Sequence, residues 1–278
     1  MNLRKSILDI QQLKSDGKKI SMITAYDYTS SYLAEEAGVE IILVGDSMGQ
    51  VVLGYDTTLP VSMEDIIRHT QMVIRGSESA HIVSDLPFMS YQVSVEQAVS
   101  NAGRLVKEGG CQSVKLEGGE KVCNQIRAIV DAGIPVMGHL GLVPQSVNQL
   151  GGYKVQSRSQ DGVRRIFRDI LELEKAGAYG VVLESVPREV AHVLSQKVKI
   201  PVIGIGAGPD CDGQVQVFHD LLGLYKDFNP KHSRIYANIG DDITNALSNY
   251  VSDVSSGDFP NDEESFHISA TVISKVFG

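Results

Sequence analysis

Six residues stand out by type and position. Asp27, Asp46, Asp85, Glu117, His139 and Glu184 each close a short run of β-branched or apolar residues. Five of the six are carboxylates, spread over about 160 residues of sequence. A single acid in such a place usually caps the helix that follows, but capping does not account for a concentration of them. Two carboxylates about 4 Å apart repel by roughly 4 kcal/mol at an effective dielectric of 20. Three that converge must protonate, splay apart or bind a cation. An all-oxygen set suits Mg2+, then Mn2+, better than Zn2+ or copper. Asp46, Asp85 and Glu117 end the second, third and fourth runs and form the predicted metal set.

Other residues could serve a substrate. Lys115 stands two positions before Glu117, so in a strand both point to one face. It is an ion-pair partner for a neighbouring acid, an anchor for a substrate carboxylate or carbonyl, or a Schiff-base nucleophile. Ser47 could donate its hydroxyl or its backbone N–H to a substrate carboxylate. Glu184 ends an apolar run with no basic residue on it, so partial burial would raise its pKa toward that of a general base. His139 is either a hydrogen-bonded core histidine or part of the site. The glycine-rich GIGAGPDCDG (204–213) lets backbone approach a ligand closely. It lacks the GK[ST] of a Walker loop and the GxGxxG spacing of a dinucleotide site.

The elements that must hold these residues recur along the chain. Eight runs read as strands: 19–27, 39–47, 80–88, 111–119, 134–141, 179–185, 200–207 and 213–220. Near-continuous apolar character suits strands buried on both faces of a parallel sheet. Helical spacing follows at 30–38, 63–76, 94–110 and 164–178, each stopping at or near glycine. Eight such units favour closure into a single (β/α)8 barrel, with its chemistry at the C-terminal ends of the strands. Residues 1–18 are predicted to form a preceding helix, and 236–255 a helix with Ile239, Ile243, Ala246 and Tyr250 on one face. No linker divides the chain, so one domain is expected over 1–278, with the barrel at about 19–224 and an extension at about 225–278.

The net charge of −9 argues against a nucleic-acid partner and against docking on an anionic membrane. Three cysteines without CxxC spacing read as reduced thiols. The charged N-terminus has no signal-peptide core, Asp9 and Asp16 interrupt any basic presequence helix, and no run reaches ~20 apolar residues. The expectation is a cytoplasmic protein.

Longer motifs carry a resemblance. TAYDYTSSYLAEEAGVEIILVGDSMGQVVLGYDTTLPVSMEDIIRHT, SDLPFMSY, VKLEGG, GIPVMGHLGLVPQSVNQLGGYKVQ, VLESVP and IPVIGIGAGPDCDGQVQVFHDLLGL closely resemble the ketopantoate hydroxymethyltransferase family, from about Ile20 to Leu224 and more loosely near Gly257. The resemblance implies an Mg2+-dependent barrel of the phosphoenolpyruvate/pyruvate superfamily, a 2-oxo acid substrate, 5,10-methylenetetrahydrofolate as one-carbon donor and a homodecamer. It implies Asp46 and Asp85 as metal ligands that also meet the substrate, Ser47 and Lys115 as substrate-binding, Glu117 as metal-associated and Glu184 as proton acceptor. After Leu224 the match is poorer, and His232 stands where the family usually carries an aromatic residue. The rivals are a metal-free Schiff-base aldolase through Lys115, another Mg2+ lyase of the superfamily, and a non-catalytic 2-oxo acid sensor. Such lyases often carry a KKCGH-type loop, which this sequence lacks, and a sensor needs no base at Glu184.

Overall fold

The computed structural model describes residues 4–150, 152, 155–225 and 230–278. Gly151, Tyr153 and Lys154 of the GGYKVQ stretch, and Asn229 at the start of the divergent segment, lie outside the described residues. The eight runs form eight parallel strands closed into a barrel. These are β1 (Ile20–Thr24), β2 (Ile41–Val44), β3 (His81–Asp85), β4 (Ser113–Glu117), β5 (Val136–Gly141), β6 (Gly180–Glu184), β7 (Val202–Ile205) and β8 (Gly213–Gln216). Each pairs with the next, and β8 returns to β1 with Ile20 opposite Gly213.

Strand alternation sorts the side chains into two layers. Ile82, Val114, Leu116, Val136, Val181 and Leu183 belong to the cluster packed beneath the helices. Met22, Leu43, Val83, Met137, Val182 and Ile203 belong to a second cluster, which fills the lumen. Ile10 of the helix Ile7–Ser15 joins the lumen cluster, so this helix plugs the N-terminal end of the barrel. Lys14 fastens the plug: its Nζ donates to the carbonyls of Ser195, Val198 and Ile200 at 3.0, 3.0 and 2.8 Å, and lies 2.8 Å from Asp212. Just inside the plug, Ser113 Oγ lies 2.8 Å from His81 Nε2 and 3.0 Å from the Tyr179 hydroxyl.

The helices start where their caps dictate. Ser62 and Asp65 form a capping box at the start of Met63–Gly76. Asp27 does the same work for Tyr28–Glu36, accepting from Ser30 N at 2.7 Å. The helix expected over 94–110 runs from Val95 to Arg104, then widens into a π-helical turn over Leu105–Gly109 and stops at Gly110 with φ 90°. The one expected over 164–178 starts earlier, spanning Gln160–Lys175. Cys123–Asp131 and Arg188–Lys197 complete the helices over β4 and β6.

The last connection departs from the eightfold unit. Residues 206–212 carry β7 to β8 as turns rather than a helix, with Gly206 and Gly208 at φ 63° and 81°. Beyond the barrel, Ile239–Ser256 and Ala270–Phe277 are helical, and neither buries a residue against its own chain.

Candidate active site

The C-terminal strand ends open on a cavity of about 500 Å3. Asp46, Ser47, Asp85, Lys115, Glu117, His139 and Glu184 all line it. Asp85, Glu117 and Glu184 are the last residues of β3, β4 and β6, whereas Asp46 follows β2 by two positions. Asp27 is not among the lining residues; it is spent on its helix cap. The residues of the glycine-rich loop, 206–213, are not among the lining residues either. Gly206 faces the ring of His232 and Gly208 faces Arg188, so these glycines make room for protein neighbours rather than for a ligand.

Asp46, Asp85, Lys115 and Glu117 form one buried wall. Lys115 Nζ lies 2.7 Å from Asp85 Oδ1, and the Asp46 backbone N–H donates to Asp85 Oδ2 at 3.0 Å. Burial together with the charges of Asp85 and Glu117 holds the Asp46 carboxyl well above the usual carboxylate range. Burial alone would lower the Lys115 pKa, but Asp85, Glu117 and Asp46 together raise it. A lysine held charged in this way is the opposite of what a Schiff-base nucleophile requires.

The donor chemistry of this wall fits a hard divalent cation. Its acids are all-oxygen donors, and the wall's own cation, the Lys115 ammonium, neutralises only Asp85 Oδ1, at 2.7 Å. Among the described residues, no three His, Cys, Asp or Glu side chains close on a single point.

A second pair stands across β5. His139 lies between two acids, with Nδ1 3.3 Å from Glu117 Oε1 and Nε2 3.2 Å from Glu184 Oε2. Neither ring nitrogen is aligned for a hydrogen bond, so these are charge contacts. Burial and Lys115 oppose the imidazolium, but Glu117 and Glu184 prevail and push His139 up to about 9. The basic neighbour that Glu184 lacks on its own strand therefore comes from β5. The backbone here is specialised. Gly141 has φ 93°, and a side chain there would run into the Glu184 carbonyl. Ser185, directly after Glu184, holds φ 51°, a conformation costing roughly 1–2 kcal/mol that persists only under tertiary constraint. Leu142 N donates to Glu184 O at 2.8 Å and Ser185 N to Ile205 O at 2.8 Å, supplying that constraint.

Sequence reasoning missed four participants. Gln145, in the turn after β5, touches both Asp46 and Glu117. Tyr91 supports Gln145 and the Glu117 backbone. Tyr26 places its hydroxyl 2.9 Å from Ser47 Oγ. Asp220 lines the cavity beyond β8, its carboxyl pushed up to about 6 by burial. Tyr26, Tyr91 and Gln145 lie inside the quoted motifs, but their own spacing gave no periodic signal. His232, the departure from the family pattern, lines the cavity too, and burial lowers its pKa.

Comparison with known proteins gives this site a family. Residues 4–262 match the family model described as ketopantoate hydroxymethyltransferase. The chain belongs to that family. A relative from Moorella thermoacetica is 54% identical over 95% of this chain and 98% of its own length. Another, from Clostridium beijerinckii, is 50% identical over 99% of this chain and all of its own. Both carry the name 3-methyl-2-oxobutanoate hydroxymethyltransferase. Among solved structures, phosphonopyruvate hydrolase, in a complex with oxalate and Mg2+, shares the fold at TM-score 0.60 and 13% identity, covering 97% of this chain and 94% of that one. The structure of 2,3-dimethylmalate lyase, described as a PEP mutase/isocitrate lyase superfamily member, does so at TM-score 0.60 and 16% identity, covering 98% and 94%.

Proposed function

We propose that this enzyme transfers a hydroxymethyl group from 5,10-methylenetetrahydrofolate to 3-methyl-2-oxobutanoate, giving 2-dehydropantoate on the route to pantothenate and coenzyme A. The observation that carries the reading is the division of one cavity into a cation-demanding acid wall with a charged lysine and a separate Glu184–His139 pair. A 2-oxo acid presents two oxygens for the first and an acidic C3–H for the second. Asp46 and Asp85 would hold Mg2+, with Glu117 associated. When bound, the metal supplies Lewis acidity to the keto and carboxylate oxygens.

The remaining work falls to the side chains. Lys115 and Ser47 orient and neutralise the carboxylate end of the substrate. Glu184 accepts the C3 proton, while His139 against its Oε2 keeps an opposite charge beside the base. The carbon so exposed forms a bond to the donor's methylene carbon, both methylene–nitrogen bonds break, and water supplies the hydroxyl group, its other proton and the one taken from C3 ending on the two folate nitrogens. The products are 2-dehydropantoate and tetrahydrofolate.

Steady-state turnover with 3-methyl-2-oxobutanoate and 5,10-methylenetetrahydrofolate tests the reading directly. Product is expected, chelation of divalent ions should abolish it, and Mg2+ should restore it. Full activity in excess chelator overturns the metal assignment. Borohydride with substrate should leave Lys115 unmodified, and a labelled Lys115 would move the protein to the Schiff-base aldolases.

The proposal extends to assembly and place. Ile243, Leu247, Val251, Phe266, Val276 and Phe277 of the C-terminal extension are exposed. Apolar surface on this scale favours self-association, in line with a homodecamer. Light scattering should report a particle many times the 30.1 kDa chain. A cytoplasmic setting is proposed on the composition; no helix among the described residues is long and apolar enough to cross a membrane.

A further inference from the structure

Gln145 lies in the 3-10 turn Pro144–Ser146 after β5, and is 5% exposed. It connects strands that are not adjacent in sequence. Its backbone N–H donates to Glu117 Oε2 at 3.0 Å. Its side-chain Nε2 donates to Asp46 Oδ2 at 2.9 Å and to Leu86 O at 3.0 Å. Its Oε1 accepts from the Tyr91 hydroxyl at 2.8 Å and from Gln92 Nε2 at 3.2 Å. A carboxamide has two donor hydrogens and two acceptor positions, and all four are used.

That saturation decides which way the amide faces. Two donors converge on Oε1, so a flipped amide would lose both and set its oxygen against the Asp46 carboxylate. Tyr91 is fixed in turn. Its hydroxyl accepts from Glu117 N at 3.1 Å and has one proton to give, for which Gln145 Oε1 at 2.8 Å is a nearer acceptor than Glu117 O at 3.0 Å. Gln145 and Tyr91 therefore tie the end of β4 to Asp46, two positions past β2, through the loops following β3 and β5.

The choice of a neutral donor matters. A lysine or arginine in this place would also hold Asp46, but it would cancel charge in the wall and weaken its demand for a cation. The carboxamide orients Asp46 without adding charge, and the backbone N–H of the same residue holds Glu117. We propose that Gln145 is the positioning residue of the divalent-cation site, aiming Asp46 and Glu117 toward the ion, with Tyr91 setting the orientation of its amide. This rests on the reading above that these acids hold Mg2+.

Partners one step removed from a metal typically change its affinity by 10–100-fold. Titration of the purified full chain with Mn2+, followed by electron paramagnetic resonance without 2-oxo acid or folate, reads that affinity independently of turnover. Gln145→Met, which keeps the length and removes the donor, should weaken Mn2+ binding by roughly 10–100-fold. Tyr91→Phe should weaken it less, and adding it to Gln145→Met should change little further, because both act through one amide. The thermal midpoints of both variants in excess chelator keep the test clear of unfolding, and Tyr91→Phe alone carries it if Gln145→Met does not fold. Wild-type affinity in variants that are folded overturns the inference and leaves the metal reading standing. A wild-type chain that binds no Mn2+ overturns both.

Discussion

At the closed end of the lumen, His81 of β3 and Ser113 of β4 meet the hydroxyl of Tyr179. Four residues further along the same two strands, Asp85 and Glu117 face the open cavity. Strand geometry treats the two ends alike, since residues four apart share a face. The chemistry differs. The closed end is a neutral network in which His81 Nδ1 also meets the Lys5 carbonyl at 2.9 Å, and burial lowers the His81 pKa. The open end gathers acids, a lysine and an imidazole pushed up to about 9, joined by ion pairs rather than by a closed hydrogen-bond network. A polar lumen residue is therefore not by itself a sign of function. Charge gathered in ion pairs is the distinguishing mark.

The sharpest way to break this contrast is at Glu184. Glu184→Gln keeps the size and removes the proton acceptor, so turnover should fall by roughly 10²–10⁴-fold. Binding of 3-methyl-2-oxobutanoate should persist, and exchange of its C3 hydrogen with solvent deuterium should vanish along with product. Exchange at the wild-type rate without product would place Glu184 after enolisation and turn attention to His139.

Next in size are the acids of the wall. Asp46→Asn or Asp85→Asn should weaken metal-dependent binding of the 2-oxo acid by roughly tenfold or more, measured by calorimetry with and without Mg2+. Equal affinity in both conditions for wild type would sink the assignment. At the closed end, Tyr179→Phe removes one hydroxyl from the neutral network. It should cost about 1 kcal/mol of stability, seen as a lower denaturant midpoint, and leave turnover unchanged. A large loss of turnover would erase the distinction between the two ends.

The smallest effect concerns Asp220. An unperturbed Asp titrates near 3.9, and burial pushes this one up to about 6. Between those values the folded state binds more protons than the unfolded state, so stability falls as pH rises through that window. Asp220→Asn should flatten the slope of unfolding free energy between about pH 4 and 6. An unchanged slope would show that the carboxyl is not held protonated.

Much of this was legible in the residues. Each strand core sits inside its predicted run, because a strand buried on both faces must be apolar and must end in a turn. Asp85, Glu117 and Glu184 were legible as the polar residues closing such runs. Asp27 looked the same, and only the bond from Ser30 N separates a cap from a site acid. Gln145 and Tyr91 were not legible as a pair, since their contact spans 54 positions between two loops with no periodic pattern. The His139–Glu184 contact depends on which strands are neighbours, which the order of the runs permits and only barrel closure enforces. The direct passage from β7 to β8 rests on positive-φ glycines, which from sequence were indistinguishable from glycines making room for a ligand.

The plug at the closed end also bears on how the chain reaches this form. Lys14 reaches carbonyls 181, 184 and 186 residues away, and β1 pairs with β8. Contacts of such long sequence separation are slow to form. The strands carrying the acid wall emerge early from synthesis, yet the seam they depend on cannot close until the last strand has been made. Until then the growing sheet has two open edges, that of β1 and that of the newest strand, and unpaired edges are where chains pair with one another. The seam therefore cannot close before β8 exists, and the contacts by which Lys14 fastens the helix Ile7–Ser15 must wait for residues 195–212.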